Sequence, residues 1–398
     1  MYKQIFWRLH TKLNMFMETE QLIALGNQAR EDNNPEQALA YYSQAFVQDR
    51  RSASAFNNYG NVLREIGDPV GAIPFLQRAI SLEPTSATAQ FNLSVAYLLS
   101  GDYARGWPQY EHRWSFEHLA GTLPKYTQPR WNGEDLKDKT ILVLQEQGLG
   151  DVIQFSRFLY PLHLMGAKII FQVNDNLAPL FANSNIINKL IDISETPTEF
   201  DYWTPIMSLP RVLGITLDNL GLPQSYLSAR NDFVKDWQTR LGPKTKLRIG
   251  FCWSGRPDSW INRHKGMPFE TMRDLIKQNP QYEWVNLQVE CSEAQAQELE
   301  LLGVKRYPGA IRNMADTAAL IHHMDVVLAV DTAMAHLSGA LGRPTWVMLN
   351  NYGVDWRWLL DRDSSPWYST ATLFRQPKIG DWGSVTNKIE KFLSWYKV

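Results

Sequence analysis

The pattern of apolar and polar positions changes once along the chain. Up to about residue 118, positions occupied mostly by small residues recur at a fixed interval of 34: Gly26, Gly60 and Ser94; Ala38, Ala72 and Gly106; Ala45 and Ala79, with Arg113 at the third place. Turn chemistry recurs with them, as Asp32-Asn33-Asn34-Pro35, Gly67-Asp68-Pro69 and Gly101-Asp102-Tyr103. Such residues stop one helix and start the next. Each interval therefore predicts helix, short turn, helix, with small residues where the two helices approach. Pro84 closes the second helix of the second unit. Units of this kind bury their apolar faces by stacking on one another.

From residue 140 onward, short apolar runs alternate with helical stretches. Strands are expected at 140–145, 168–173 and near 189–193, with helices from 151 to about 165 and at 175–183. After a break over 222–246 the alternation restarts. Strands are expected at 248–253, 283–288, 326–330 and 345–349, with helices at 268–278, 293–302 and 332–341, the last closed by Gly342. This is βαβ alternation, which predicts parallel sheets covered by helices. Two such domains in series make a cleft, and ligands of these sheets sit at strand carboxyl ends against helix N-termini. The Pro-, Gly- and Thr-containing stretch between the two patterns reads as a linker, packed down by Trp114 and Trp131.

Composition narrows the function classes. A chain of 398 residues implies two or three domains. Charged residues make up 20% and the net charge is −1, which fits neither a disordered chain nor a general electrostatic affinity for nucleic acid or anionic membranes. Two cysteines, Cys252 and Cys291, exclude a disulfide scaffold and a four-cysteine zinc site and suit the cytoplasm. No run approaches the ~20 apolar residues that span a bilayer. Residues 1–17 lack the apolar stretch and cleavage site of a secretory signal. They read as a frayed helix or as a weak membrane-surface anchor.

Three segments carry candidate chemistry, each after a strand. Gln145-Glu146-Gln147-Gly148-Leu149-Gly150-Asp151 is a Gly-rich turn into a helix. It is not the dinucleotide fingerprint, because Ile153 stands where the third glycine belongs. Asp151 is either a helix cap or a catalytic carboxylate at the cleft mouth. Val330-Asp331-Thr332-Ala333-Met334-Ala335-His336 leads from a strand into a helix, which is either an anion site or a cap followed by a structural histidine. Trp253-Ser254-Gly255-Arg256, running on to Arg263, Lys265 and Pro268, gathers cations in one loop suited to a diphosphate, unless that loop is merely solvated. His322 and His323 are adjacent and point to different helix faces, so no metal-ligand spacing is evident.

Two resemblances follow. Phe56-Asn57-Asn58-Tyr59-Gly60 through Ala72, Ala79 and Pro84 resembles the tetratricopeptide repeat, with repeats at 19–52, 53–86 and 87 to about 118, the third departing at Gly106 and Arg113. Such arrays present a concave groove to a protein or peptide; packing or homo-oligomerisation is the other use of the surface. Gly148-Leu149-Gly150-Asp151, Lys265-x-x-Pro268 and Asp331-Thr332-x-x-x-His336 resemble glycosyltransferase family 9, the ADP-heptose heptosyltransferase group. Asp355-Trp356-Arg357-Trp358-Leu359, Asp363 to Tyr368, Leu373 to Gln376 and Gly380-Asp381-Trp382 are similar to its bacterial branch that carries tetratricopeptide repeats.

The resemblances imply an all-α repeat domain (1–118), a linker (119–139) and an α/β GT-B module of two Rossmann-like domains. These would be an acceptor domain at 140–225 and a donor-nucleotide domain at 246–380, with a C-terminal helix at 381–398 crossing back to the first. They imply an inverting, metal-independent glycosyltransferase without a cofactor, moving a sugar from a nucleotide-diphosphate sugar to an acceptor hydroxyl, the acceptor being a protein or peptide recruited by the repeats. Carried over by position, Asp151 matches the general base and Gly148, Leu149 and Gly150 its acceptor-side loop. Lys265 matches the diphosphate lysine. Asp331, Thr332, Ala333 and His336 match the donor loop, joined by Trp253 and Ser254. Gln288 or Glu290 matches the nucleoside contact, and Arg312-Asn313-Met314 lies near the base. Ala333 stands where these enzymes usually have glycine, and the repeats are foreign to the lipopolysaccharide enzymes. An inactive interaction scaffold and a glycolipid or polysaccharide transferase are the alternatives. The 15 tryptophans are expected at the junction of repeats and transferase (Trp107, Trp114, Trp131), beside the diphosphate loop (Trp253, Trp260) and in the tail.

Overall fold

The computed structural model describes residues 17–116, 119–195, 197–221, 225–255 and 265–396. The chain divides into two compact units, Met1–Pro124 and Lys125–Val398.

The first unit holds three helical hairpins: α1 (Thr19–Glu31) with α2 (Pro35–Gln48), α3 (Ala53–Glu65) with α4 (Pro69–Leu82), and α5 (Ala87–Leu99) with α6 (Tyr103–Tyr110). The three turns use the same chemistry. Asn33, Gly67 and Gly101 take positive φ of 57°, 89° and 83°. Asn34, Asp68 and Asp102 then cap the following helix by accepting the N–H of Gln37, Gly71 and Arg105. The small residues lie at helix crossings. A methyl group added at Gly26 would lie 2.4 Å from the Tyr42 ring, and one at Gly60 2.8 Å from Leu76. Ala38, Ala45, Ala72 and Ala79 are fully buried.

The second unit contains two parallel sheets flanked by helices, the Rossmann-like pair expected from the alternation. In chain order the first half has β1 (Thr140–Leu144), α7 (Leu149–Phe155), α8 (Leu159–Leu164), β2 (Lys168–Gln172), α9 (Ala178–Phe181), β3 (Lys189–Ile191), β4 (Tyr202–Pro205) and α10 (Leu209–Val212). Its strand order is β3-β2-β1-β4. The second half has α11 (Asn231–Leu241), β5 (Arg248–Cys252), α12 (Phe269–Gln278), β6 (Glu283–Asn286), α13 (Glu293–Leu301), α14 (Met314–His322), β7 (Val326–Val330), α15 (Ala333–Ala340), β8 (Thr345–Leu349), β9 (Ala371–Arg375) and α16 (Trp382–Trp395). Its strand order is β6-β5-β7-β8-β9. The central strands β5, β7 and β8 are buried throughout, as a parallel sheet covered on both faces requires.

Several expectations are corrected. The helix at 151–165 is broken into α7, a 3₁₀ turn at Ser156–Phe158 and α8. The edge strands β4 and β9 had no strong apolar signal. The break at 222–246 contains α11. A short part of the stretch read as linker pairs with the first sheet: the Trp131 N–H donates to the Trp203 carbonyl at 2.8 Å, while its indole N–H donates locally to Glu134 O at 2.9 Å.

The C-terminal helix was expected to cross to the first sheet, but its apolar stripe is bound to the second. Trp382, Val385, Ile389 and Leu393 share a core with Met272, Trp346 and Phe374, and Tyr282 donates to the Leu393 carbonyl at 3.0 Å. The segment that does cross lies earlier. Trp356 and Trp367 sit 6.4 and 5.9 Å from Phe155 of α7, and Arg157 donates to the Trp367 carbonyl at 2.6 Å.

Candidate functional site

The carboxyl ends of β1 and β7 face one another through the helices that follow them. β1 ends at Leu144, and the next turn places Gln147 at φ 60° before α7 begins. Asp151 lies in the first turn of α7, where its Oδ2 accepts the Gly148 N–H at 2.9 Å. β7 ends at Val330, and Thr332 is the extended residue that opens α15. Its hydroxyl donates back to the Val330 carbonyl at 3.2 Å.

Helices α7 and α15 meet at their first turns. A Cβ on Gly150 would lie 2.8 Å from His336 Cδ2 and 3.3 Å from Ala333 Cα. Gly150 is thus small because a second helix lies against it. Ala333 stands on the other side of that contact.

Around this crossing runs a chain of alternating charges. The Arg357 guanidinium donates to Asp151 Oδ1 through Nη2 and to Gln154 Oε1 through Nε, the latter at 2.6 Å. Its Nη1 lies 3.0 and 3.2 Å from the two oxygens of Asp355. Asp355 Oδ2 accepts from Lys265 Nζ at 3.2 Å, and Lys265 donates again to Asp331 Oδ2 at 2.5 Å. Asp331 Oδ1 is 3.9 Å from His336 Nε2. The His336 ring stacks on Trp358 at 5.3 Å, and its Nδ1 lies 2.9 Å from the Tyr368 hydroxyl. Five sequence-selected residues (Asp151, Lys265, Asp331, Thr332 and His336) therefore come together in the fold.

Burial and charge set the protonation of this cluster. Burial works against the charge of Lys265, but Asp331 and Asp355 overcome it and hold the ammonium above the ordinary lysine range. Burial likewise opposes the charge of Asp355, yet Arg357 and Lys265 hold its carboxyl well below the usual carboxylate range. Burial pushes the His336 imidazole down to about 4 against the pull of Asp331, with Arg357 also lowering it. His336 is therefore neutral at pH 7. Among the described residues no group of three His, Cys, Asp or Glu side chains is arranged to hold a metal ion.

The remaining sequence candidates have other placements. Ser254 and Gln288 form a pair between the ends of β5 and β6: Gln288 Nε2 donates to Ser254 Oγ at 3.1 Å, and the Ser254 N–H donates to Gln288 Oε1 at 3.2 Å. Cys252 Sγ joins them at 3.2 Å from Gln288 Oε1, and burial raises its thiol to about 11. Trp253 is only 3% exposed, its ring packed on Phe251 and Phe269. That ring belongs to the core, and the residue holds the loop through its carbonyl, which accepts the Met267 N–H at 2.8 Å. Glu290 is exposed beyond β6. Asn313 caps α14, and the Met314 N–H reaches the Asn176 carbonyl of the first half at 3.0 Å. Arg256, Trp260 and Arg263 lie outside the described residues.

Asp355, Arg357 and Tyr368 were not selected as site residues. Asp355 and Arg357 belong to a segment marked only by resemblance, and their charges are separated from Asp151 by some two hundred residues of chain. The signal available was the density of charge among the tryptophans at 355–358.

The chain is similar to several known proteins. Residues 23–87 match the tetratricopeptide-repeat family. The chain is 25% identical over 425 residues to Protein FlbA of Caulobacter vibrioides, covering 90% of this chain and 70% of FlbA. It is similar to a crystal structure of a family 9 glycosyl transferase from Veillonella parvula, with TM-score 0.47 and 15% identity, covering 66% of this chain and 92% of that one. It is also similar to the ADP-heptose lipopolysaccharide heptosyltransferase II of E. coli, with TM-score 0.43 and 16% identity, covering 64% of this chain and 99% of that one.

Proposed function

We propose that the second unit is an inverting glycosyltransferase, acting in the cytoplasm without a metal or cofactor. It moves a sugar from a nucleotide-diphosphate sugar to an acceptor hydroxyl, and the repeats hold the protein or peptide that carries this hydroxyl. The observation that carries the reading is the meeting of Asp151 with the Lys265–Asp331–His336 group at the crossing of α7 and α15.

Inversion requires one attack from the face opposite the leaving group. The acceptor oxygen bonds to the anomeric carbon as the bond to the diphosphate oxygen breaks, and the hydroxyl proton passes to Asp151. Negative charge gathers on the departing diphosphate. Lys265 and the start of α15 provide a cation and backbone N–H groups for it. Neutral His336, held by Tyr368 and Trp358, adds a hydrogen-bonding group without adding charge. For the acceptor, the first unit contains a cavity of about 300 Å³ lined by Glu20, Asn27, Asn57, Asn58, Glu83 and Thr88. Its side chains suit a polar, extended segment. No described helix is long and apolar enough to cross a membrane.

The test is a panel of ADP-, GDP- and UDP-sugars bound to the purified chain by calorimetry, followed by mass spectrometry of glycosylated proteins from the same cells. Asp151→Asn should keep nucleotide affinity and lose at least ~100-fold in turnover. Lys265→Ala should lose nucleotide affinity. Near wild-type transfer by Asp151→Asn refutes the base, and unchanged affinity in Lys265→Ala refutes the donor site. Failure to bind any nucleotide sugar leaves an interaction scaffold.

A further inference from the structure

Among the described residues, the side chains gathered at the donor site carry more negative charge than positive. Lys265 and Arg357 contribute two positive charges, and Asp151, Asp331 and Asp355 three negative ones, with His336 neutral. A diphosphate is itself an anion and must approach a lysine already held by two carboxylates at 2.5 and 3.2 Å. The approaching phosphate repels both carboxylates at close range, which favours one of them giving way.

The two are not equivalent. Asp331 is fixed between β7 and α15, makes the shorter contact to Lys265 and has a side chain only 6% exposed. Asp355 makes the longer contact and stands on the loop that opens the turn Trp356–Trp358. It also has a second cation in place. Arg357 Nη1 reaches both of its oxygens at 3.0 and 3.2 Å, and the Arg357 backbone N–H donates to Oδ1 at 3.1 Å. Asp355 can leave Lys265 without becoming an unpaired buried charge, whereas Asp331 has no arginine beside it among the ion pairs of the described residues.

We propose that Asp355 is a built-in counter-anion of the donor lysine. It holds Lys265 until the donor binds, is displaced by the donor diphosphate and remains neutralised by Arg357. The proposal rests on the reading of Lys265 as the diphosphate lysine. It makes Asp355 a determinant of donor affinity with a sign opposite to that of a contact residue: removing its charge strengthens binding. It also screens the site, since a weakly charged ligand gains too little from Lys265 to displace a carboxylate.

The experiment is calorimetric titration of the full chain with ADP, GDP and UDP at low and moderate salt. Asp355→Asn is expected to bind the preferred nucleoside diphosphate about tenfold more tightly than the wild type. Asp355→Ser removes the same charge while keeping a hydroxyl to cap the turn at Arg357, and guards against misfolding in the first variant. Asp274→Asn, at an exposed position of α12, changes the net charge equally and should leave affinity within about twofold. Raised salt should shrink the gain. Equal or weaker binding in the folded Asp355 variants overturns the proposal. If Lys265→Met abolishes wild-type binding while both Asp355 variants change nothing, the counter-anion falls and the donor site stands. If no nucleoside diphosphate binds and Lys265→Met is indistinguishable from wild type, the donor reading falls and the counter-anion with it.

Discussion

The neutral histidine at the helix crossing makes the stability of the second unit depend on pH. His336 is 5% exposed, between Trp358, Tyr368 and the first turn of α7. Its imidazole falls from the usual 6.5 to about 4, burial being the largest cause. In the unfolded chain the same ring titrates near 6.5. Well above pH 6.5 neither state is protonated and the group has no effect on folding. As pH falls from 6.5 toward 4 the unfolded chain takes up a proton that the folded protein refuses, so stability is lost in that window. The full fall in pKa is worth about 3 kcal/mol at 1.36 kcal/mol per pH unit, and the part realised between pH 7 and pH 5 is about 2 kcal/mol. The perturbation is therefore pH itself, with His336→Gln as reference. Urea unfolding of both proteins at pH 7 and pH 5 should show the variant losing about 2 kcal/mol less than the wild type over that interval. Imidazole resonances followed by NMR, with His336 assigned from the variant, give the titration directly. A His336 midpoint at or above 6, or parallel losses in the two proteins, would refute the reasoning.

The crossing itself can be tested at Gly150. Gly150→Ala brings a methyl group against His336 and Ala333 and should destabilise the second unit by about 1–3 kcal/mol in urea unfolding. A neutral result would mean that the two helix starts are not in contact. In the first unit, Gly26→Ala drives a methyl into the Tyr42 ring, which is buried and tied by its hydroxyl to Asn27 at 2.7 Å. It should lower the melting temperature of the repeats, whereas the exposed Val47→Ala should leave it nearly unchanged. Asp68→Ala removes the cap that accepts the Gly71 N–H and should cost about 1 kcal/mol in the same assay.

The tryptophans show how far composition reaches. Their number announced large buried aromatic surfaces, and their spacing suggested junctions. Trp107 packs within the repeats on Tyr103 and Tyr110, and Trp131 is buried beside β4 of the second unit. Trp253 is core beneath the loop that follows β5. Trp356, Trp358 and Trp367 do line a junction, the one between the two sheets. A tryptophan advertises a need for burial and does not say against what.

The sequence by itself determined what is local. The 34-residue recurrence fixed three hairpins, because turn residues and small crossing residues act over a few neighbours. Apolar runs mark the central strands, and each candidate motif follows one of them. Tertiary structure decided which distant charges meet. That Asp151 is held by Arg357 depends on the segment after β8 crossing to α7, that Asp355 stands between Arg357 and Lys265 depends on that segment meeting the loop after β5, and that Gly150 makes room for His336 depends on α7 packing against α15. Short edge strands and crossing loops carry a weaker apolar pattern than a long buried strand, and ion pairs carry no periodicity at all. Only the packing of the two sheets brings such residues to one place, and there burial makes their charges matter.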